Sequence, residues 1–325
     1  MILHNNNTLF QDAITATARR MNISTIYIEK DYWITYALHT IYNDPIGDET
    51  IFKGGTALSK CFNLIQRFSE DIDLVVLRRE GETNNQLTTK IKRISKIVTE
   101  VLPEIEMPDI TQKRGMNRKT AHAYKKVFEG SFGQIRDIIV VEASWLGNYE
   151  PYTRRPVSSY IFDIMKEAGQ LDLAAEYGLL PFEVKVLEPK RTFCEKIMSL
   201  VRFSYTENPM VDLKNKIRHT YDIHLLLQND EIRMFFYTSG FDELLLKVAN
   251  DDVLSFKNNN EWLKHHPRES IFFADTEKVW AKLKETYGGN FRDLVFGSFP
   301  EEGSILKSLL LVADRLRNIE WIIKF

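Results

Sequence analysis

Hydrophobic spacing near the start of the chain predicts helices. In the first stretch, Leu9, Ile14, Ala18 and Met21 are spaced like one face of a helix. Ser24 is a suitable N-cap for a second helix. The helices predicted in this part of the chain cover residues 8–22, 24–42, 56–65 and 87–101.

Short apolar runs between these helices predict strands. In residues 71–76, polar and apolar positions alternate at the start, as they do in a half-buried strand. The predicted strands cover residues 50–52, 71–76, 124–129, 137–145 and 182–187.

From Pro189 onward the pattern is almost wholly helical. The helices predicted there cover residues 191–207, 212–228, 242–254, 275–287 and 302–324. The change of pattern predicts an α+β domain over 1–188, with a mixed β-sheet and flanking helices. A mainly helical C-terminal domain follows over 189–325.

Composition narrows the class of protein. A chain of 325 residues is long enough for two domains, and 44% hydrophobic with 27% charged residues is typical of globular proteins. The formal charge of −2 excludes nucleic-acid binding through bulk charge but allows a local basic patch. Cys61 and Cys194 cannot build a disulfide framework. The start of the chain does not resemble a signal peptide and no run is long enough to cross a bilayer, so we expect a cytoplasmic protein.

Candidate chemistry lies between residues 52 and 75. Gly54 and Gly55 follow a predicted strand and precede a helix that begins at Thr56, an arrangement that lets phosphate approach backbone N–H groups. Asp71 and Asp73 lie two apart on the next strand, so their side chains project from one face. Close carboxylates repel each other, and Mg²⁺ bridging to nucleotide phosphates is the usual remedy.

A third acid is expected from a neighbouring strand. Glu142 is the only acid inside an apolar strand core, and a buried carboxylate needs a partner or a metal. Other interpretations stay open: Gly54-Gly55 as a plain turn, the two aspartates as solvated residues of an edge strand, and Glu142 as the partner of an arginine. The ordered combination of these features favours catalysis.

At these residues the sequence resembles the nucleotidyltransferase superfamily of the DNA polymerase β type, although the gap from Gly55 to Asp71 is longer than usual. More closely, it resembles the AbiEii/AbiGii toxin family of phage abortive infection and toxin–antitoxin pairs. The segments that carry the resemblance run in order along the chain: Ile28-Glu-Lys-Asp-Tyr-Trp33, Phe52-Lys-Gly-Gly-Thr-Ala-Leu-Ser-Lys60, Arg67-Phe-Ser-Glu-Asp-Ile-Asp-Leu74, Arg191-Thr-Phe-Cys-Glu-Lys-Ile197 and Arg218-His-Thr-Tyr-Asp-Ile223.

The resemblance implies a nucleotidyltransferase fold and roles for the matching residues. Asp71 and Asp73 would hold Mg²⁺ and activate an attacking hydroxyl, Lys196 would contact phosphate, and Asp222 would be a further essential acid. The positions implied to bind the nucleoside triphosphate are Gly54, Gly55, Thr56, Lys60, Ser69 and Lys196.

The second pair of motifs also has structural explanations. Thr192 and Glu195 have the spacing of a capping box, which would place Lys196 in the first turns of a helix, where its charge needs a compensating anion. Arg218 and Asp222 are four apart and could form an ordinary surface pair.

A basic segment predicts where an acceptor would bind. Lys113, Arg114, Arg118 and Lys119 precede Tyr124-Lys-Lys126, and positive charge with interleaved aromatics could guide an RNA end. A solvated loop with an edge strand protected by lysines is the alternative. Some relatives in the toxin family modify tRNA acceptor ends, which favours RNA.

Three functions compete. The first is a Mg²⁺-dependent nucleotidyltransferase toxin that inactivates an RNA, with tRNA favoured and a protein target as the lesser alternative, and that is neutralised by a separately encoded antitoxin. The second is a catalytically weak nucleotide-binding protein that acts through a protein partner. The third is a small-molecule nucleotidyltransferase of the antibiotic-resistance kind, which would need an acidic pocket rather than a basic patch. The motif set favours the first.

Overall fold

The structure, a computed structural model, describes residues 1–130, 135–147 and 149–325. The chain forms two compact units, and two short segments before residue 188 belong with the C-terminal helices. The first unit comprises Met1–Asn63, Phe68–Trp145 and Tyr152–Leu187; the second comprises Leu64–Arg67, Leu146–Pro151 and Glu188–Phe325.

A mixed β-sheet forms the centre of the first unit. Its strands are β1 (Thr50–Lys53), β2 (Asp71–Val76), β3 (Glu104–Ile105), β4 (Gln112–Lys113), β5 (Asn117–His122), β6 (Ile139–Ser144), β7 (Tyr152–Val157) and β8 (Phe182–Leu187). Their order is β3-β5-β6-β2-β1-β8-β7, with β4 paired to β5.

Strand β2 lies in the middle of this sheet, antiparallel to β1 and parallel to β6. The register places Asp73 opposite Lys53 on one side and opposite Glu142 on the other. The position of β2 follows from its sequence, because Ile72, Leu74 and the two valines after it are buried.

Helices flank the sheet in the first unit. They are α1 (Asn7–Met21), α2 (Thr25–Tyr42), α3 (Gly54–Lys60), α4 (Asn84–Val101), α5 (Tyr160–Glu167) and α6 (Leu171–Glu176). A capping box of Thr83 and Gln86 begins α4, and its apolar face packs inward. Helix α2 is buried on almost every side, including its charged residues Glu29, Lys30 and Asp31. Each of these three therefore requires a partner.

The second unit is helical in the described residues. Its helices are α7 (Pro189–Phe203), α8 (Pro209–Asn215), α9 (Ile217–Gln228), α10 (Asp230–Phe236), α11 (Ser239–Ser255), α12 (Ile271–Ala274), α13 (Thr276–Gly288) and α14 (Glu302–Leu316). Phe193, Phe236 and Phe241 pack against one another where α7, α10 and α11 meet. Over the described ranges, every helix of the protein is too short or too polar to span a lipid bilayer.

The α+β class and the helical C-terminal part are confirmed, but the strand predicted over 124–129 is wrong. The strand is β5, whose polar residues Thr120 and His122 are buried and lie 2.9 Å apart through Oγ1 and Nε2. Residues 124–129 form a loop because Glu29 of α2 accepts hydrogen bonds from the backbone N–H groups of Val127 and Phe128, at 2.7 and 3.1 Å. Tertiary contacts, absent from the local pattern, decide both segments.

Several element ends also differ from the prediction. Edge strand β7 was not predicted, because its exposed arginines and Pro156 hide the strand pattern. The helix expected over 212–228 is two helices, α8 and α9. The last helix ends at Leu316, and the following segment is tied down by the Trp321 indole, which donates to the Leu263 carbonyl at 2.9 Å.

Candidate functional site

Asp71 and Asp73 project from one face of β2. They alternate with the fully buried Ile72 and Leu74, which point to the opposite face, and both aspartates stay partly accessible. The sequence predicted this shared face, and the register of β2 confirms it.

Gly54 gives the Asp73 carboxylate its space. Its φ is +81°, a conformation that favours glycine, and an added Cβ would lie 2.3 Å from Oδ2 of Asp73. The predicted helix start at Thr56 is two residues late, because Gly54 and Gly55 form the first turn of α3. This turn fits against the carboxylate only because residue 54 lacks a side chain. The close approach to Asp73 is therefore enough to explain why residue 54 is glycine, and no bound ligand is needed for that explanation.

The hydroxyls of Thr56 and Ser69 hold the same region together. Thr56 Oγ1 donates to the Asp71 carbonyl at 2.6 Å and lies 3.0 Å from Ser69 Oγ. Thr56 is buried, so its side chain fixes the start of β2 and leaves only its backbone for a ligand. The nucleotide contacts predicted for Thr56 and Ser69 stay predictions.

Burial and neighbouring carboxylates together make the charged form of Asp73 unfavourable. Burial first, and then the charges of Asp71 and Glu142, raise the pKa of Asp73 to about 7. Glu142 lies opposite Asp73 on β6, and its own carboxylate accepts from Asn117 Nδ2 at 3.1 Å and pairs with Lys119 Nζ at 3.1 Å. A cation placed at the aspartates would relieve this repulsion.

The residues present fit a magnesium ion with two protein ligands. Within the described part of the chain, no group of three or more acidic, histidine or cysteine side chains is arranged to hold a metal. Mg²⁺ commonly uses one or two carboxylates and completes its shell with water and substrate phosphates. The pair Asp71 and Asp73 has the hard oxygen donors for this, and the assignment of Glu142 as a third ligand stays a prediction.

Lys60, predicted to bind nucleotide, has its ammonium group inside the first unit. Its Nζ lies 2.5 Å from Asp31 Oδ1 and 3.0 Å from the Ser158 carbonyl, and its side chain is 3% exposed. The Asp31 carboxylate also accepts from the Tyr160 backbone N–H at 2.8 Å. These contacts give Lys60 a structural role that joins α2, α3 and α5, and its nucleotide role stays a prediction.

In the second unit, Lys196 and Asp222 lie together. Lys196 Nζ donates to Asp222 Oδ2 at 2.6 Å, and Arg67 donates to both carboxylate oxygens through Nε and Nη2, each at 2.7 Å. Burial by itself would raise the pKa of Asp222, but the charges of Arg67 and Lys196 outweigh it and hold the pKa well below its usual range. The cluster of Arg67, Lys196 and Asp222 carries one surplus positive charge.

This geometry corrects two structural interpretations of the motifs. Asp222 is fully buried, so the ordinary surface pair with Arg218 is wrong. The capping box is also wrong, because α7 begins at Pro189 after its N-cap Glu188, and Thr192 lies within the helix. Glu195 pairs with Arg191 at 3.2 Å. The anion that Lys196 needs is Asp222.

Sequence reasoning missed three residues at these sites. Arg67 could have been found, because it stands in the motif that contains Asp71. Arg136 lies on Asp71, with Nη1 2.9 Å from Oδ1, and no local pattern indicated it. His219 lies beside the Arg67–Lys196–Asp222 cluster; burial, followed by the charges of Lys196 and Lys216, holds its pKa well below the usual range. Contacts between residues far apart in the chain bring these three residues to the sites.

The predicted RNA-binding residues lie on strands β4 and β5 and in the connection between them. Lys113 pairs with Glu104 at 2.8 Å, and Arg118 donates to Ser95 Oγ at 2.5 Å. Arg114 is exposed. Tyr124, the aromatic residue interleaved with this basic segment, is buried and cannot stack on a base. The patch therefore offers charge, with Lys113 and Arg114 its most accessible cations.

Comparison with known proteins decides the family. A family model described as nucleotidyl transferase AbiEii toxin, type IV toxin–antitoxin system, matches residues 36–302. The chain belongs to this family. It is therefore a nucleotidyltransferase toxin of a type IV toxin–antitoxin system, which implies a nucleoside triphosphate substrate and a cognate antitoxin, and the resemblance seen in the motifs is confirmed.

Other comparisons add little to this AbiEii-family assignment. No protein with a curated description matches the chain. Among solved structures, the nucleotidyltransferase toxin MenT4 from Mycobacterium tuberculosis H37Rv is similar, with 16% identity and a TM-score of 0.47. That match covers 92% of this chain and 98% of the other.

Gly54→Ala should destabilise the protein more than Gly81→Ala. Gly81 has nearly the same φ, +80°, but its added Cβ meets nothing within 4 Å. Both substitutions bear the left-handed backbone cost of roughly 1–2 kcal/mol, and only Gly54→Ala must also displace Asp73. Urea unfolding measures the difference, and the extra cost should disappear in an Asp73→Ala background. Equal losses for both glycines would contradict the contact with Asp73.

Lys60→Met should lower the free energy of unfolding by about 3–5 kcal/mol, because it leaves Asp31 buried and unpaired. The double variant Asp31→Asn/Lys60→Met removes both charges and should recover most of this loss in urea unfolding. The double variant, once its stability is recovered, also tests whether Lys60 contacts nucleotide. Unchanged nucleotide affinity would assign Lys60 to structure, and a loss of affinity would restore its predicted contact.

Proposed function

We propose that this toxin transfers a nucleoside monophosphate from a nucleoside triphosphate to a hydroxyl of an RNA, with tRNA as the first candidate, and that it does so with Mg²⁺. The observation that carries the proposal is the position of Asp71 and Asp73 on one face of β2, against the Gly54 turn. We place the reaction in the cytoplasm, where nucleotides and RNA are found.

Asp71 and Asp73 would hold the magnesium ion. When bound, Mg²⁺ supplies charge neutralisation at the phosphate under attack and at the leaving pyrophosphate. The donor chemistry supports this, because two carboxylates lie on one strand face and a third acid lies opposite Asp73 on β6, so three possible oxygen donors are close together. The same aspartates would take up the proton of the attacking hydroxyl.

Other residues of the first unit would position the substrates. The backbone of Gly54, Gly55 and Thr56 would face the triphosphate, where residue 54 has no side chain in the way. Thr56 would act through its hydroxyl bonds to the Asp71 carbonyl and Ser69, which keep β2 in place relative to the turn. Positioning of this kind, with electrostatic stabilisation, supplies most of the catalysis in phosphoryl chemistry.

The Arg67–Lys196–Asp222 cluster would supply positive charge for the phosphates. Its surplus charge is held in a buried setting, where charges are less screened than at an exposed surface. Asp222 would orient both cations rather than touch the reacting atoms. A neutral residue in its place would leave two buried like charges next to each other.

The basic residues of β4 and β5 would guide the RNA. Lys113 and Arg114 are exposed, and backbone phosphates of single-stranded RNA are attracted by such charges. Lys119 pairs with Glu142, so charge continues from this patch toward the acids of β2 and β6. This continuity favours an RNA acceptor over a small cationic molecule.

The transfer reaction is tested by incubating the protein with Mg²⁺, total cellular RNA and each α-³²P-labelled nucleoside triphosphate in turn. We expect label in a discrete RNA band, and its loss in the Asp71→Asn/Asp73→Asn variant, because the metal ligands are removed. The control variant Asp172→Asn/Asp293→Asn removes two exposed carboxylates and should keep the activity.

Each outcome of the labelling assay has a distinct meaning. Label in a protein band would keep the chemistry and change the acceptor. Nucleotide binding without any transfer would favour the interpretation of a catalytically weak protein that acts through a partner. Activity that survives in the Asp71→Asn/Asp73→Asn variant would remove these residues from the site.

Lys113→Ala/Arg114→Ala should weaken RNA binding by about tenfold and reduce its dependence on salt, since each lost phosphate contact lowers the salt slope by about 0.7 for single strands. Filter binding at several salt concentrations measures both effects. Lys92→Ala/Lys96→Ala changes the net charge equally on the exposed face of α4 and serves as the control. Equal effects of the two double variants would show non-specific attraction instead of a binding patch.

A further inference from the structure

The guanidinium of Arg136 lies on one of the two proposed metal ligands. Its Nη1 is 2.9 Å from Asp71 Oδ1 and 3.3 Å from Glu70 Oε1. The arginine side chain is 40% exposed and that of Asp71 is 30% exposed, so this contact is at the surface of the first unit. A cation is thus already bound to an oxygen that a metal ion would use.

Two buried groups hold the backbone of Arg136 in this position. Its N–H donates to Glu70 Oε2 at 2.9 Å, and its carbonyl accepts from Lys30 Nζ. Lys30 also pairs with Glu70, and the two side chains are 0% and 2% exposed. Because both peptide groups of Arg136 have buried partners, its guanidinium is directed to Asp71 by the fold.

This arrangement explains a motif that the proposed reaction leaves without a role. Lys30 belongs to the Glu-Lys-Asp segment of α2, which precedes the residues matched by the family model. Burial lowers the pKa of Lys30, and the charge and hydrogen bond of Glu70 oppose this shift only in part. An ion pair removed from water stabilises little in itself, but it fixes geometry. Here it fixes the chain at Arg136.

The ion pair between Arg136 and Asp71 contributes little to stability by comparison. Partly exposed pairs of this kind are screened by water and are weak. Removing the Arg136 side chain leaves the backbone contacts with Glu70 and Lys30 intact. The pair is therefore better explained by its effect on Asp71 than by a contribution to folding.

We propose that Arg136 is a built-in counter-ion that competes with divalent metal for the Asp71 carboxylate, and that Lys30 and Glu70 are positioning residues that keep it there. This inference rests on the proposed function, in which Asp71 holds the metal. In the free protein, the guanidinium neutralises Asp71 and weakens its attraction for a second cation. Metal bound to Asp71 must share or displace this contact.

The test is Mn²⁺ binding to the full chain without nucleotide, measured from the electron paramagnetic resonance signal of free Mn²⁺. Arg136→Gln removes the competing charge and should bind Mn²⁺ about tenfold more tightly than the unchanged protein. Arg136→Lys keeps a cation and should bind less tightly than Arg136→Gln. The control Arg154→Gln removes a charge from edge strand β7, three strands away from β2, and should have no effect.

Two results would overturn the proposal. The first is an Arg136→Gln variant whose Mn²⁺ affinity is unchanged or lower, which would rule out competition. The second is a gain in Mn²⁺ affinity that persists in an Asp71→Asn background, which would show that Arg136 acts elsewhere. Failure of the proposed function itself is distinguishable, because then Asp71→Asn/Asp73→Asn would bind Mn²⁺ as well as the unchanged protein does. Circular dichroism checks that each variant is folded.

Discussion

Repulsion among carboxylates at β2 and β6 is the constraint to which the surrounding residues respond. Asp71 and Asp73 share one strand face and Glu142 lies opposite Asp73; burial, followed by the charges of Asp71 and Glu142, raises the pKa of Asp73 to about 7. Cationic side chains then approach from the periphery: Lys119 on Glu142 and Arg136 on Asp71. The core of a soluble domain rarely groups carboxylates in this way, and the proposed reaction accounts for the grouping through a bound cation.

Buried ion pairs hold the framework around this charge. Lys30 with Glu70 fixes the start of β2 and the chain at Arg136, and Asp31 with Lys60 joins three helices of the same unit. In the helical unit, Asp222 holds two cations in a buried setting. Desolvation offsets most of the attraction in such pairs, so they contribute more to a unique geometry than to stability. The family motifs therefore contain two kinds of residue: those proposed to act on the substrates, and those that hold the fold in place through buried ion pairs.

Local sequence was enough for the elements that bury a regular apolar face. Strand β2, with its alternation and its two aspartates, and the longer helices α7, α11 and α13 of the C-terminal unit follow from periodicity. Strand β5 and edge strand β7 do not, because polar side chains on them find partners or solvent that the pattern omits. The same reason explains the missed end of the last helix, where Trp321 bonds to a distant carbonyl.

By itself, the sequence determined the aspartate pair on one strand face and the individual motifs that define the family, since each of these consists of residues close together in the chain. Only the tertiary structure decided which charges meet. Arg67 is 155 residues from Asp222, and Arg136 is 65 from Asp71. No spacing rule connects positions so far apart. Their contacts exist because the sheet and the helices bring them together, and burial then decides which charges must be paired.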